Sequence, residues 1–231
     1  MLNEAVLIVF YVIILLYSVI IHEVFHGVAA LWLGDNTAKY AGRLTFNPIK
    51  HIDPVWTIIV PLVMLFTVGF AFGAAKPVPY NPYNLRNQRW GPSLVALGGP
   101  GVNILAALIF AIFASFISIP AALKYDIINN VRFLNWEGMA TAISGSVGSI
   151  FFAVFCIIIF WNVLLAFFNL IPIPPLDGSK ILFSILSLKT ETTIMLEQFG
   201  FLFLLFVIFI FSGPISFLLN FFWNLFFGIA I

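Results

Sequence analysis

Charge is scarce in this chain. Asp, Glu, Lys and Arg make up 8% of its 231 residues, while 62% are hydrophobic. A typical soluble domain carries about 25% charged residues. So little polar surface cannot cover a water-soluble globule, and the composition describes an integral membrane protein. Cysteine is nearly absent. The single Cys156 excludes a disulfide or a cysteine-built metal cluster within the chain, and it reads as a small apolar packing residue. A formal net charge of +1 without a basic run argues against a nucleic-acid partner, which needs many phosphates neutralised. The opening Met1-Leu2-Asn3-Glu4 lacks the positive start of a secretory signal, so the apolar run behind it reads as retained.

Long apolar runs are what the chain has instead. Their lengths predict spans over about Ala5 to Leu33, Pro54 to Ala75, Pro92 to Ile119 and Ile150 to Leu170. A Phe- and Leu-rich tail from Ile194 to Ile231 follows, broken at Gly213-Pro214. As one straight helix it would be near 50 Å, too long for a hydrocarbon core of about 30 Å. It reads as a kinked helix or an apolar hairpin, giving five or six spans in all. Tyr40 to Phe46 reads as a short strand stopped by Asn47-Pro48. Lys76 to Gln88 is too rich in proline for a helix, and is either an exposed loop or an irregular segment lining a polar cavity. Gly69 and Gly73 form a G-x-x-x-G spacing that permits close helix contact. Pro120 to Ser146, the longest interruption, is too short for an ordinary independent domain. The expected fold is therefore an all-α polytopic membrane protein with a short membrane-associated β segment and irregular loops. It forms one domain over residues 1–231, with a core of about 5–188. Lys and Arg are spread over every loop, so charge does not orient the chain.

Inside the first span lies His22-Glu23-Val24-Phe25-His26, an H-E-x-x-H pattern. Residues four apart share one helix face, so the two imidazoles can point at one metal ion. Glu23, offset by about 100°, can stand beside that ion and take a proton from an attacking water. Ionisable groups at membrane depth are costly, and mark function by default. His51, a lone histidine in a polar loop, reads as a hydrogen-bonded residue first and a ligand second. At the end of the fourth span, Pro172, Pro174 and Pro175 stop the helix and free backbone carbonyls, which implies a cavity. Asp177 follows. It can supply a third ligand to zinc with a fourth position left open, or cap the helix Gly178 to Leu188, or both. Asn103 is polar within an apolar run and is expected to face the protein interior.

These residues carry a resemblance. The chain resembles the site-2 protease family, zinc metalloproteases that cut peptide bonds within membranes. His22 to His26 is similar to the family's H-E-x-x-H, and Asn169 to Gly178 to its N-x-x-P-x-x-x-L-D-G motif. Gly42 to Pro48, His51 to Pro54, Ala75 to Val78 and Gly99-Pro100-x-x-Asn103 resemble stretches of small bacterial and archaeal members. The resemblance implies His22, His26 and Asp177 as ligands of one Zn²⁺ and Glu23 as catalytic base. It implies Asn169 as a catalytic residue steadying substrate or oxyanion. It further implies a transmembrane protein or peptide as substrate, the lipid bilayer as surroundings, and a prokaryotic cell membrane as location. Two readings compete: an ion or proton transporter built on the same His/Glu/Asp cluster, and an inactive zinc-binding scaffold. A single site without a continuing relay disfavours the first, and an intact Glu23 the second.

Overall fold

The computed structural model describes residues 4–60, 62, 63, 66, 75–188 and 190–231. These residues form helices joined by turns and irregular loops. The long helices are α1 (Glu4–Trp32), α3 (Gly91–Ser115), α6 (Val147–Asn169), α8 (Thr190–Ile210) and α9 (Ser212–Ala230). Shorter ones are α2 (Thr37–Tyr40), α4 (Ala121–Arg132), α5 (Trp136–Ile143) and α7 (Asp177–Leu186). Four of the described helices, α1, α3, α6 and α9, are long and apolar enough to cross a membrane. At 1.5 Å per residue they run from about 29 to about 43 Å, against a hydrocarbon core of about 30 Å. The tail breaks at Phe211 into α8 and α9, just ahead of the Gly213-Pro214 signal. The expected second span begins with a π-helical turn, Pro54–Ile59. Most of its remainder, including Gly69 and Gly73, lies outside the described residues.

The bundle centres on α3, which packs against α1, α6, α7 and α9. Ala107, Ala111 and Ala114 are fully buried along one ridge of α3. Small side chains at this spacing let helix backbones approach closely where no hydrophobic effect drives them together. At the end of the bundle holding this ridge, Tyr11 of α1 packs edge-on to Trp136 of α5 and lies against Trp161 of α6. Phe152, Ile157 and Met139 complete that core. Large side chains left outside, among them Phe199, Phe206, Phe209 and Phe217, suit a lipid-facing surface. The interruption from Pro120 to Ser146 is two helices, α4 and α5, packed on α6 and on each other.

One expectation is corrected. Tyr40 to Phe46 is not a strand, and no strand occurs among the described residues. Tyr40 N and Ala41 N donate back to Asn36 O and Thr37 O, completing α2. Gly42 then takes a left-handed φ of 63° and Arg43 N returns to Ala38 O. Gly42 thus closes a helix, as glycines in this conformation commonly do.

The segment from Lys76 to Tyr80 is irregular and is tied to the loops that follow α2 and, through Val78 N, to Glu23 of α1. Lys76 N donates to His51 O at 2.9 Å, and Lys76 O accepts from Arg43 Nη2 at 2.6 Å. Val78 is buried. Asp35, fully buried just beyond α1, accepts from Thr37 N, Thr37 Oγ1, Asn81 N and Asn84 Nδ2 at 2.6–3.1 Å. Within Lys76 to Gln88 the side chains of Val78 and Leu85 are buried, while most of the others are exposed.

Candidate metal centre

The middle of α1 brings His22 and His26 onto the face that meets α3, with ring centroids 4.6 Å apart and planes nearly perpendicular. His22 lies about 15 Å before the end of α1, so the pair sits within the helix rather than at its mouth. Two glycines make the meeting possible. A Cβ on Gly98 would lie 2.6 Å from Phe25 O. A Cβ on Gly99 would lie 2.6 Å from His22 Nε2 and equally close to His26 Nε2 and Cε1. Backbone of α3 therefore forms one wall of the site.

The third group arrives from α6 and α7. After Asn169 the chain turns through Ile171 to Leu176, with a cis Pro174-Pro175 peptide, and re-enters helix at Asp177. Gly178 seats this turn, because a Cβ there would run into Leu170 O and, at 2.5 Å, Ile171 O. Leu176 takes the capping position of α7 and makes no side-chain cap. The Asp177 carboxylate is thus spared for the histidines. Its Oδ2 lies 3.1 Å from His22 Nε2 and 3.3 Å from His26 Nε2. Donors in a tetrahedron about a zinc bonded at 2.0–2.1 Å are separated by about 3.3–3.4 Å. The observed separations are close to that edge.

Hydrogen bonding on the far side of each ring sets what the near side offers. His22 Nδ1 meets Asn103 Oδ1 at 2.5 Å, and His26 Nδ1 meets the Val95 carbonyl at 2.8 Å. Both of these partners are oxygen acceptors, so each Nδ1 is assigned the hydrogen; for His26 the 2.8 Å contact to a carbonyl, which can only accept, outweighs the longer 3.3 Å approach of Gly99 N–H to the same atom. The Nε2 atoms then present lone pairs toward a carboxylate. Three acceptors facing one another at 3.1–3.3 Å are held by a cation, or by an added proton on each ring. The ligand atoms of Glu23, His22 and His26 lie within 4.8 Å of one another. Glu23 Oε2 accepts from Val78 N at 3.0 Å, so the Lys76 to Tyr80 segment holds this carboxylate from outside the helix.

A family model, that of peptidase family M50, matches residues 10–211. The chain belongs to that family. M50 peptidases are the site-2 proteases and are zinc-dependent. Among relatives, YwhC of Bacillus subtilis is 36% identical over 171 residues, covering 74% of this chain and 66% of its own length. Rip2 of Mycobacterium tuberculosis is 27% identical over 192 residues, covering 82% of this chain and 62% of its own. Rip2 of Mycolicibacterium smegmatis is 27% identical over 189 residues, covering 81% and 61%. All three carry provisional zinc metalloprotease names. The chain spans about two thirds or less of the length of these relatives. No solved structure matches it. For an M50 member the donor set here, two imidazole nitrogens and one carboxylate oxygen, fits zinc.

The residues expected from sequence are placed unequally. His22, Glu23, His26 and Asp177 come together. Asn169 ends α6 half-buried, and its Nδ2 donates to Leu165 O of its own helix at 2.8 Å. His51 is buried, with its Nε2 on Thr45 O at 2.8 Å, and acts as a brace for the loops. Gly99, Val95 and Val78 contribute to the site through backbone or through the lack of a side chain. The stretches Ala75 to Val78 and Gly99-Pro100-x-x-Asn103 pointed to Val78 and Gly99 in advance, and nothing pointed to Val95.

Proposed function

We propose that this chain is an intramembrane zinc metalloprotease hydrolysing peptide bonds within or near the transmembrane segments of membrane proteins. The observation that carries the reading is the convergence of Asp177 Oδ2, at the start of the short α7, on His22 Nε2 and His26 Nε2 beside Glu23 in α1, a helix long enough to cross a membrane. We assign His22, His26 and Asp177 as ligands of one zinc ion and residues 1–231 to one membrane-embedded domain. When bound, zinc supplies a Lewis acid that polarises the scissile carbonyl and acidifies the attacking water.

The remaining steps fall to side chains of the chain itself. Val78 N–H fixes Glu23 Oε2, so Oε1 is the oxygen we assign to proton transfer. Glu23 takes the proton from water as it attacks and returns it to the leaving amine. Asn169 Nδ2 has two hydrogens and uses one on Leu165 O. The other is free to donate to a developing oxyanion, a role whose loss typically costs about 2.7–4 kcal/mol of barrier. The substrate helix has its amides bonded internally, so it must unwind locally to present a peptide bond. The surrounding helices keep bulk water out, while the broken turn from Ile171 to Leu176 interrupts the wall where water can enter.

Purified Glu23→Gln and His22→Ala proteins test this. Zinc content and cleavage of a membrane-helix reporter are measured side by side. Glu23→Gln is expected to keep zinc and lose cleavage, and His22→Ala to lose both. Normal cleavage by Glu23→Gln would refute the mechanism.

A further inference from the structure

Behind His22 lies a buried polar relay that crosses three helices. Asn103 on α3, Asn162 on α6, and Ser18 on α1 are each at most 3% exposed. Asn162 Nδ2 donates to Ile158 O at 2.8 Å and to Ser18 Oγ at 3.0 Å. Asn103 Nδ2 donates to Asn162 Oδ1 at 2.6 Å and to Ser18 O at 3.3 Å. Asn103 Oδ1 is left to meet His22 Nδ1 at 2.5 Å.

The direction of every bond in this relay follows from its ends. Backbone carbonyls only accept. Ile158 O therefore demands the amide nitrogen of Asn162, which turns Asn162 Oδ1 toward Asn103. That oxygen, together with Ser18 O, demands the amide nitrogen of Asn103. Asn103 can then offer His22 only an oxygen, and His22 can answer only with Nδ1–H. The lone pair is forced onto Nε2, on the side of Asp177. Flipping either amide would set two acceptors or two donors face to face among buried side chains, leaving their hydrogen bonds unmade.

We infer that Asn103 is a positioning residue that fixes the tautomer and rotation of His22 for metal binding, and that Asn162 and Ser18 hold Asn103 in the amide orientation this requires. This rests on His22 being a zinc ligand. An equivalent for His26 is built from backbone, through Val95 O. Only the His22 side therefore depends on side chains that mutation can reach. Oxygen partners behind a metal-bound histidine raise its basicity and hold its plane, and their loss typically weakens metal binding about 10–100-fold.

The test uses the full chain in lipid nanodiscs. Nitrogen NMR of ¹⁵N-histidine protein, stripped of metal and held above the titration of its rings, reads the tautomers directly. The chain has three histidines, so assignment by single substitution is practical. His22 is expected to be protonated on Nδ1. Zinc affinity is measured by competition with a chromophoric chelator. Asn103→Leu, which keeps the bulk and removes the acceptor, is expected to bind zinc about 10–100-fold more weakly and to show mixed tautomers at His22. Asn162→Leu should fall between it and the wild type. Asn103→Asp restores an acceptor and should recover affinity to within a few-fold of wild type. A packing role alone predicts that this charged variant does no better than Asn103→Leu.

Finding Nε2–H on His22 of the wild type would overturn the inference, and that readout needs no variant to fold. Wild-type zinc affinity in Asn103→Leu would overturn it too. The His22→Ala control separates the two levels. If it also keeps zinc, the ligand assignment is what fails. If it loses zinc while Asn103→Leu does not, the assignment stands and the relay has no such role.

Discussion

Replacing Gly99 with alanine is expected to cost the chain its zinc while leaving the bundle folded. The added Cβ would stand 2.6 Å from His22 Nε2, His26 Nε2 and His26 Cε1, about 0.8 Å inside ordinary van der Waals contact at 3.4 Å. Neither ring can swing away freely, because each Nδ1 is bonded on its far side. The rings or α3 must therefore move by several tenths of an ångström, whereas metal–ligand distances tolerate about 0.2 Å. Misplacement approaching 1 Å costs about 10²-fold in rate, or about 2.7 kcal/mol of barrier. The effect on folding is smaller. Alanine gains about 0.8–1.0 kcal/mol over glycine within a helix, and overpacking costs about 1–3 kcal/mol, so net destabilisation should be about 0–2 kcal/mol. Gly101, two residues on, supplies the control. A Cβ there meets nothing within 4 Å. Gly101→Ala should keep zinc and cleavage and gain up to about 1 kcal/mol. The assay is zinc stoichiometry and affinity of detergent-purified protein, reporter cleavage, and thermal unfolding of both variants. Wild-type zinc affinity in Gly99→Ala would refute the claim that α3 backbone bounds the metal centre.

Other expectations follow from the same contacts. Chelation should abolish cleavage and lower the unfolding temperature, and added zinc should reverse both. At free zinc 100-fold above its dissociation constant the ion contributes about 2.7 kcal/mol, and calorimetry of His22→Ala should show no such response. Gly178→Ala puts a Cβ against the carbonyls of Leu170 and Ile171. Backbone cannot yield as a side chain does, so stability should fall by about 1–3 kcal/mol and zinc affinity with it, read by unfolding and chelator competition. Asp35 is buried, which raises its pKa, but hydrogen bonds from Thr37, Asn84 and Asn81 outweigh this and hold it below the ordinary 3.8. A depressed folded-state pKa gives stability that is complete above the unfolded value and lost as pH falls through the folded one. The stability gap between wild type and Asp35→Asn in urea titrations should therefore be full at pH 7 and shrink below about pH 4.

Helix periodicity carried His22, Glu23 and His26, because the rule that residues four apart share a helix face is local and needs no fold to apply. Asp177 was legible for another reason. Prolines around it forbade helix, and a carboxylate at a forced break in a membrane span needs a partner. Span boundaries followed from hydropathy to within a few residues for α1, α3 and α6. The misread stretch was Tyr40 to Phe46, read as a short strand stopped by Asn47-Pro48. The outcome was decided by Gly42 at positive φ and by Arg43 reaching across to Lys76 O, a contact between residues 33 apart. Such contacts leave no local pattern.

The parts of the site that stayed hidden share one property: they act through backbone or through absence. Val95 and Val78 serve as a carbonyl and an amide, for which almost any residue type would do, so their side chains give nothing to read. Gly99 serves by having no side chain, and one glycine among Gly98, Gly99 and Gly101 looks like its neighbours until α1 is laid against it. Asn103 left a trace of its own, because an amide is expensive in an apolar helix unless something meets it. That cost made its partner worth seeking, and the partner is His22. In an apolar helical bundle such as this one the readable residues are the polar ones that burial makes costly. The walls that aim them are apolar or made of backbone, and only the packing of α1 on α3 shows where those walls stand.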